Sequence, residues 1–80
     1  MNIKKYEVYK MMANILNVEI NQISKINYDD DFANYGMTSI LAIKLVVMLE
    51  EKYNFEFHDS DLLFDKFNTF NKLFALLESY

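Results

Sequence analysis

The sequence predicts an all-α fold, a bundle of three main helices and one short helix with a long connection between helices 1 and 2. Its apolar residues recur mostly at the spacing of one helix face rather than in alternation. The chain has no proline and a single glycine, so it contains few helix-breaking residues. A hydrophobic content of 52%, with seven Phe and six Tyr, can fill a small helical core. At 80 residues, we expect one domain, residues 1–80.

The first helix is predicted from about Ile3 to Leu16. Apolar side chains recur there at helical spacing and define a predicted buried face: Tyr6, Tyr9, Met12, Ala13 and Leu16. Asn17 follows at a position where a left-handed residue would end the helix.

The connection from Val18 to Tyr35 is polar, with apolar residues scattered along it. A connection this long usually has a function or packs its own side chains. We therefore expect a structured crossover held to the core by its apolar residues: Val18, Ile20, Ile23, Ile26 and Phe32.

The second helix is predicted from Ser39 to Tyr53, with Thr38 as its N-cap. One face is apolar and is expected to be buried: Ala42, Leu45, Val46, Leu49 and Tyr53. The opposite face carries Ile40, Lys44, Val47 and Glu51, so two aliphatic side chains are expected on the outside.

The last part of the chain is predicted to contain an extended link, a short helix and a final helix. Phe55 to Phe57 alternate as in an extended segment, and Asp59 and Ser60 start a short third helix that continues to Phe64. Thr69 is the predicted N-cap of the final helix, whose apolar face is spaced as in an amphipathic helix: Phe70, Leu73, Phe74, Leu77 and Tyr80.

Charge and composition exclude several functional classes. The net charge is −4, from eight lysines, no arginine and twelve acidic residues, so nucleic-acid binding is not expected. No apolar run is long enough to span a membrane, and the first residues turn polar too soon for a signal peptide. The absence of cysteine fits a reducing compartment. These features predict a cytoplasmic protein.

Ser39 is the most informative position, because the only glycine, Gly36, precedes it by three residues at the predicted start of a helix. Glycine allows a sharp turn into the helix, and the positive end of the helix dipole stabilises a phosphate. Two interpretations are open: Ser39 is a helix cap, or its hydroxyl carries a phosphodiester-linked group.

The segment from Asp31 to Leu45 resembles the acyl carrier and peptidyl carrier (thiolation) family. The shared pattern is Phe32, then Tyr35-Gly36 in place of the usual Leu-Gly, then two residues, then Ser39-Ile40. The later segments Leu62 to Asp65 and Asn68 to Phe70 agree with this resemblance. It implies a four-helix carrier-protein bundle in which Ser39 receives 4′-phosphopantetheine from coenzyme A and holds cargo as thioesters.

The sequence departs from the family pattern at two positions beside the motif. Thr38 stands where carriers usually have Asp or sometimes His, so recognition by the modifying transferase is expected to differ. Tyr35 replaces Leu and is expected to plug the same apolar socket. The spacing from Phe32 to Gly36 matches carriers of peptide and polyketide assembly.

The outer face of the second helix is mostly apolar, where fatty-acid carriers have a row of acids. Exposed aliphatic residues of this kind indicate a partner interface, although some of them could instead pack under the loop. The predicted interface is Met37, Thr38, Ile40, Leu41, Lys44, Val47 and Glu51.

The resemblance therefore implies a stand-alone, monomeric carrier protein without catalytic activity. We expect it to serve nonribosomal peptide or polyketide-type metabolism, with aminoacyl cargo ahead of acyl cargo. Its implied partners are a phosphopantetheinyl transferase, an adenylating or acyl-transferring loading enzyme, and condensing or tailoring enzymes. The alternatives are a fatty-acid acyl carrier and a helical module that binds a protein partner without covalent modification.

Metal binding and hydrolysis are not expected. The acidic run Asp29 to Asp31 does not continue with the ligand spacing of a calcium loop, because Ala33 and Ile40 fall at ligand positions. His58 is the only histidine, and no second glycine builds a nucleophile elbow around Ser39.

Overall fold

The computed structural model describes all 80 residues, and its regular structure is helical throughout. The α-helices are α1 (Lys5–Leu16), α2 (Ile20–Ser24), α3 (Ser39–Tyr53) and α4 (Phe70–Glu78). Three 3₁₀ turns complete it: Phe32–Tyr35, Asp59–Asp61 and Phe64–Lys66. The all-α prediction is confirmed, with three main helices and one short α-helix. None of the helices is both long and apolar enough to cross a membrane.

The short α-helix lies in a different place from the predicted one. Residues 59–66 form two separate 3₁₀ turns, because Leu63 between them is extended (φ −79°, ψ 131°). Instead α2 lies inside the long connection, where Glu19 and Gln22 form a capping box at its start. Sequence reasoning missed this signal because Glu19 is not a preferred N-cap residue.

The long connection is held to the core, but only by part of the predicted set. Ile23, Ile26 and Phe32 are buried, which confirms the structured crossover. Val18 is 37% exposed and Ile20 only half-buried, so these two residues do not anchor it as predicted. The anchors lie further along the connection, from Ile23 onward.

Helix α1 begins at Lys5, two residues later than predicted, and ends at Asn17 in the predicted left-handed conformation (φ 56°). Its buried face is rotated from the predicted one, with Val8, Met11 and Met12 in the core. Tyr6 is 60% exposed, so its predicted core position is wrong. The rotation follows from packing, because α1 contacts both α2 and α3.

Helices α3 and α4 supply most of the remaining core. The inner face of α3 is confirmed, with Ala42, Leu45, Val46 and Leu49 buried and Tyr53 half-buried. The predicted face of α4 is buried at Phe70, Leu73, Phe74 and Leu77. Tyr80, its fifth predicted member, is half-buried and lies beyond the last residue of α4. Phe32 of the connection meets Phe70 edge to face, with ring centroids 4.9 Å apart. This contact ties the segment before α3 to the start of α4.

Candidate functional site

The chain reaches Ser39 through a tight turn that needs glycine. Gly36 ends the 3₁₀ turn Phe32–Tyr35 with φ 96°, in the left-handed region that other residues rarely adopt. The Gly36 amide donates to the Ala33 carbonyl at 3.3 Å, and the Met37 amide donates to the Phe32 carbonyl at 3.2 Å. The backbone therefore reverses here and enters α3 three residues later.

The two side chains that flank Gly36 have the opposite burial from the one predicted. Tyr35 was expected to plug an apolar socket, but it is 41% exposed and its hydroxyl donates to Asp30 Oδ2 at 2.7 Å. That hydrogen bond raises the pKa of Tyr35. Met37 is only 4% exposed, so it belongs to the core and its predicted place in the partner interface is wrong. The glycine turn explains the exchange, because it points the following side chain inward.

Thr38, not Ser39, is the cap of α3. Its Oγ1 accepts from the Leu41 amide at 3.2 Å, and its carbonyl accepts from the Ala42 amide at 2.8 Å. Ser39 is exposed, and its hydroxyl has no hydrogen-bond partner within the chain. The interpretation of Ser39 as a structural cap is therefore wrong, and its hydroxyl is free to react.

The electrostatics at Ser39 favour an attached phosphate. Helix α3 is 15 residues long, or about 22 Å, and its dipole places about half a positive charge at the Ser39 end. Helix geometry leaves the amides of Ser39 and Ile40 without acceptors inside the helix. The first charged residue of the helix is the cation Lys44, and its acids, Glu50 and Glu51, lie near the other end. A phosphodiester on Ser39 would therefore meet donors and no carboxylate of its own helix.

An apolar groove of about 390 Å³ opens beside Ser39, between α3 and the segment that follows it. Apart from Ser39, its lining residues are all hydrophobic: Ala42, Ile43, Val46, Leu62, Leu63, Phe64 and Phe67. Its volume is at the lower end of the range of small-molecule sites. A flexible group attached to Ser39 could therefore reach an apolar surface without leaving the protein.

Most of the residues in the predicted interface lie exposed on the outer face of α3 or just before it. Thr38, Ile40, Lys44, Val47 and Glu51 are exposed, and Ile40 and Val47 retain 71% and 45% of their accessible surface. Leu41 is half-buried against the core, so it offers only part of its side chain.

Sequence reasoning missed three exposed aliphatic residues near this face. Ile43 is 61% exposed, and Leu62 and Leu63 across the groove are 42% and 61% exposed. Ile43 could have been found, because it lies three residues after Ile40 on the same helix. The two leucines could not, because their segment was expected to form a short helix and no local pattern places it beside α3.

His58 and Ser39 are not brought together. The His58 ring stacks on Tyr80 with centroids 5.2 Å apart, and its neighbour Phe57 donates its amide to the Glu50 carboxylate at 2.9 Å. Glu50 is eleven residues beyond Ser39, about 16 Å along the helix axis. His58, the only histidine, is therefore not placed to act as a base on Ser39.

The acidic run before the turn has a structural role. Asp31 caps the 3₁₀ turn by accepting from the Ala33 amide at 2.9 Å, and Asp30 accepts from the Tyr35 hydroxyl. No group of three or more potential metal-ligating side chains is found in the structure.

Comparison with known proteins agrees with this geometry. Residues 7–77 match the family described as "Phosphopantetheine attachment site". The chain is 32% identical over 74 residues to a D-alanyl carrier protein of Leuconostoc mesenteroides, covering 91% of the chain and 95% of that protein. It is 34% identical over 73 residues to a D-alanyl carrier protein of Leuconostoc citreum, covering 90% and 94%. No solved structure gives a significant match.

Proposed function

The chain belongs to the phosphopantetheine-attachment family of carrier proteins, and from that premise we propose that Ser39 is the attachment point and that the cargo is D-alanine. In this family the prosthetic group is 4′-phosphopantetheine, whose thiol holds the cargo as a thioester. The chain's own contribution is to present a hydroxyl, stabilise a phosphate and offer a docking face.

The observation that carries the attachment proposal is the free, exposed hydroxyl of Ser39 at the first residue of α3. Thr38 already caps the helix, so attaching a group to the Ser39 hydroxyl would not remove a helix cap. The residue pattern around Gly36 and Ser39 supports the same assignment. The glycine turn and the buried Met37 hold the approach to Ser39 in one conformation.

The proposed cargo follows from the relatives and agrees with the aminoacyl preference inferred from the sequence. Both relatives are named as carriers of D-alanine and match about nine-tenths of this chain. We therefore place a D-alanine pathway ahead of peptide or polyketide assembly. D-alanine is small and carries an ammonium group, so it would not need the apolar groove beside Ser39.

The proposed partners are a phosphopantetheinyl transferase, an adenylating enzyme that loads the arm, and an enzyme that accepts the cargo, all acting in the cytoplasm. Each must approach Ser39 over the exposed face of α3, in particular Ile40, Lys44 and Val47. This face is mostly apolar, with one cation, Lys44, and one acid, Glu51. Aliphatic contact rather than ion pairing would therefore supply the affinity of a transient complex.

Attachment is tested by incubating the apo protein with coenzyme A and a broad-specificity transferase, followed by intact-protein mass spectrometry. We expect a single addition of phosphopantetheine to the wild type and to Ser60→Ala, an exposed serine control, and none to Ser39→Ala. Addition to Ser39→Ala would contradict the assignment of the site.

The cargo is tested on the modified protein with a D-alanine-activating enzyme and ATP. We expect D-alanine to be loaded at least tenfold faster than L-alanine or glycine, with the thioester cleaved on treatment with hydroxylamine. Equal loading of all three, or loading only by a transferase that uses acyl-coenzyme A, would refute the D-alanyl proposal.

A second candidate, a carrier of apolar acyl chains, is favoured by one observation, the apolar groove next to Ser39. A chain that enters this groove would stabilise the fold by about 0.8 kcal/mol for each buried CH₂ group. Thermal unfolding of the protein carrying acetyl, butyryl and hexanoyl arms separates the two functions. A Tm that rises with chain length supports the acyl carrier, and a constant Tm supports the aminoacyl carrier.

A further inference from the structure

We propose that Asn68, immediately before the cap of α4, is a positioning residue for Ser39. It clamps the 3₁₀ turn that leads into α3 and so fixes where the hydroxyl is presented. The inference rests on the proposed attachment at Ser39. It concerns a residue 29 positions away whose hydrogen bonds go to Asp31, Phe32 and Lys72, none of which lies in α3.

Asn68 holds the start of the turn by two hydrogen bonds of opposite direction. Its side-chain Nδ2 donates to Asp31 Oδ2 at 2.9 Å, and its backbone carbonyl accepts from the Phe32 amide at 2.8 Å. The other oxygen of Asp31 accepts from the Ala33 amide and caps the turn. Asn68 therefore fixes both the backbone and the capping side chain of this turn.

The orientation of the Asn68 amide is set from its other end. The Lys72 ammonium donates to Asn68 Oδ1 at 3.2 Å and to the Asp65 carbonyl at 3.1 Å. The Asn68 amide accepts from a cation on one side and donates to a carboxylate on the other, whereas an ionised carboxylate at this position could only accept. Aspartate in place of Asn68 would put two carboxylates face to face, and alanine would leave Asp31 with one partner fewer.

The turn transmits this position to Ser39 through a short and stiff path. Phe32 is fully buried, and its carbonyl accepts from the Met37 amide across the turn. Met37 is buried, and Thr38 then caps the helix that begins at Ser39. A loosened turn would therefore move the hydroxyl relative to a docked transferase while leaving the face of α3 unchanged.

Asn71 provides a matched control one helical turn further on. Its side chain donates to Asp29 Oδ1, upstream of the turn, and its backbone amide donates to the Tyr28 carbonyl. Asn71→Ala removes a bond between the same two parts of the chain but leaves the 3₁₀ turn intact.

The test uses Asn68→Asp, Asp31→Asn, the double variant and Asn71→Ala as full-length apo proteins, at a temperature where each is folded. The double variant restores the bond with donor and acceptor exchanged. Asn is also a good N-cap at position 31, and Asp at position 68 still accepts from Lys72. We expect Asn68→Asp to lower kcat for arm transfer about tenfold or more with KM within about twofold of wild type, because misplacement costs rate rather than docking.

The double variant and Asn71→Ala should both stay within about twofold of wild-type kcat. A loss in Asn68→Asp that appears only in KM, or that the double variant does not recover, would overturn the positioning role. An effect on KM alone would show a general loss of structure, and a lack of recovery in the double variant would show that asparagine itself is needed at position 68.

A second readout keeps this inference separate from the proposed function. Amide hydrogen exchange of Met37 in the apo protein reports the turn without any transferase, and we expect it to be about tenfold faster in Asn68→Asp. If the wild type receives no phosphopantetheine but Met37 exchange is faster in Asn68→Asp, the proposed function is wrong while the role of Asn68 in holding the turn is supported. If phosphopantetheine is transferred to Ser39 and Met37 exchange is the same in Asn68→Asp as in the wild type, only the positioning role of Asn68 is wrong.

Discussion

Replacing Gly36 by alanine separates backbone strain from steric exclusion at the turn before Ser39. A Cβ built on Gly36 meets no atom within 4 Å, so space is not limiting. The backbone has φ 96°, where an L-residue is strained by about 1–2 kcal/mol. Alanine also restricts the unfolded chain, which offsets about 0.4–1 kcal/mol of that cost. The expected net loss of unfolding free energy is therefore about 1 kcal/mol.

Urea unfolding followed by circular dichroism measures this loss. With an m value of about 1 kcal/mol/M for a protein of this size, the midpoint should fall by about 1 M. The Tm should fall by about 4–8 °C. Gly36→Asn should lose less than Gly36→Ala, because asparagine tolerates left-handed conformations better.

Asn54→Ala is the matched control, because Asn54 has a left-handed φ of 54° at the opposite end of the same helix. It should be destabilised to a similar or smaller extent and still receive the phosphopantetheine arm at the wild-type rate. Gly36→Ala should receive it more slowly. An unchanged midpoint for Gly36→Ala would refute the strain argument. A loss above about 3 kcal/mol would show a steric role that the open space around Gly36 does not predict.

Three further substitutions test other parts of the structure. Burial and the hydrogen bond with Tyr28 raise the pKa of Tyr9 to about 12, so the folded state keeps this proton more tightly than the unfolded state. The contribution of Tyr9 to the free energy of unfolding is complete below pH 10 and is lost as the pH rises toward 12. When urea unfolding is measured between pH 8 and 11.5, the free energy of unfolding of Tyr9→Phe should decline less steeply with pH than that of the wild type. The buried Tyr53 hydroxyl has no hydrogen-bond partner, so Tyr53→Phe should leave stability unchanged or raise it by about 1 kcal/mol; a loss above that amount would reveal a missed partner. Val47→Glu should weaken docking of the transferase, seen as a raised KM, whereas Val18→Glu, an exposed valine away from this face, should not; equal effects would remove the proposed docking role of α3.

The helices that can be predicted from this sequence are those with a strong periodic pattern and a visible cap. Thr38 and Thr69 mark the starts of α3 and α4, and both accept the expected amide hydrogen bonds. Asn17 marks the end of α1, because asparagine tolerates the left-handed backbone conformation that ends a helix. These signals act within a few residues, so no tertiary information is needed to recognise them.

The missed features depend on contacts between distant parts of the chain. In residues 59–66, Asp59 and Ser60 could start a helix, yet Leu62 and Leu63 remain exposed and the segment forms only 3₁₀ turns. Which of Tyr35 and Met37 enters the core depends on the direction of the turn at Gly36. The bond from Asn68 to Asp31 spans 37 residues and has no local pattern at all.

The position of Ser39 at the exposed start of a helix could be predicted from local sequence. Ser39 was identified from its spacing to Gly36, because the chemistry requires a hydroxyl at a helix start after a flexible residue. The exposure of the proposed interface residues was predicted only in part, since helical spacing alone does not show that Met37 is buried and Leu41 half-buried.

The central claim, that the Ser39 hydroxyl is a covalent attachment point, is tested most directly on protein isolated from the cells that make it. Cleavage after lysine releases residues 26–44, a peptide in which Ser39 is the only serine. Tandem mass spectrometry should detect this peptide with added phosphopantetheine, eject the pantetheine fragment, and place the remaining phosphate on Ser39 rather than Thr38. An unmodified peptide in every preparation, or a modification placed on another residue, would contradict the account.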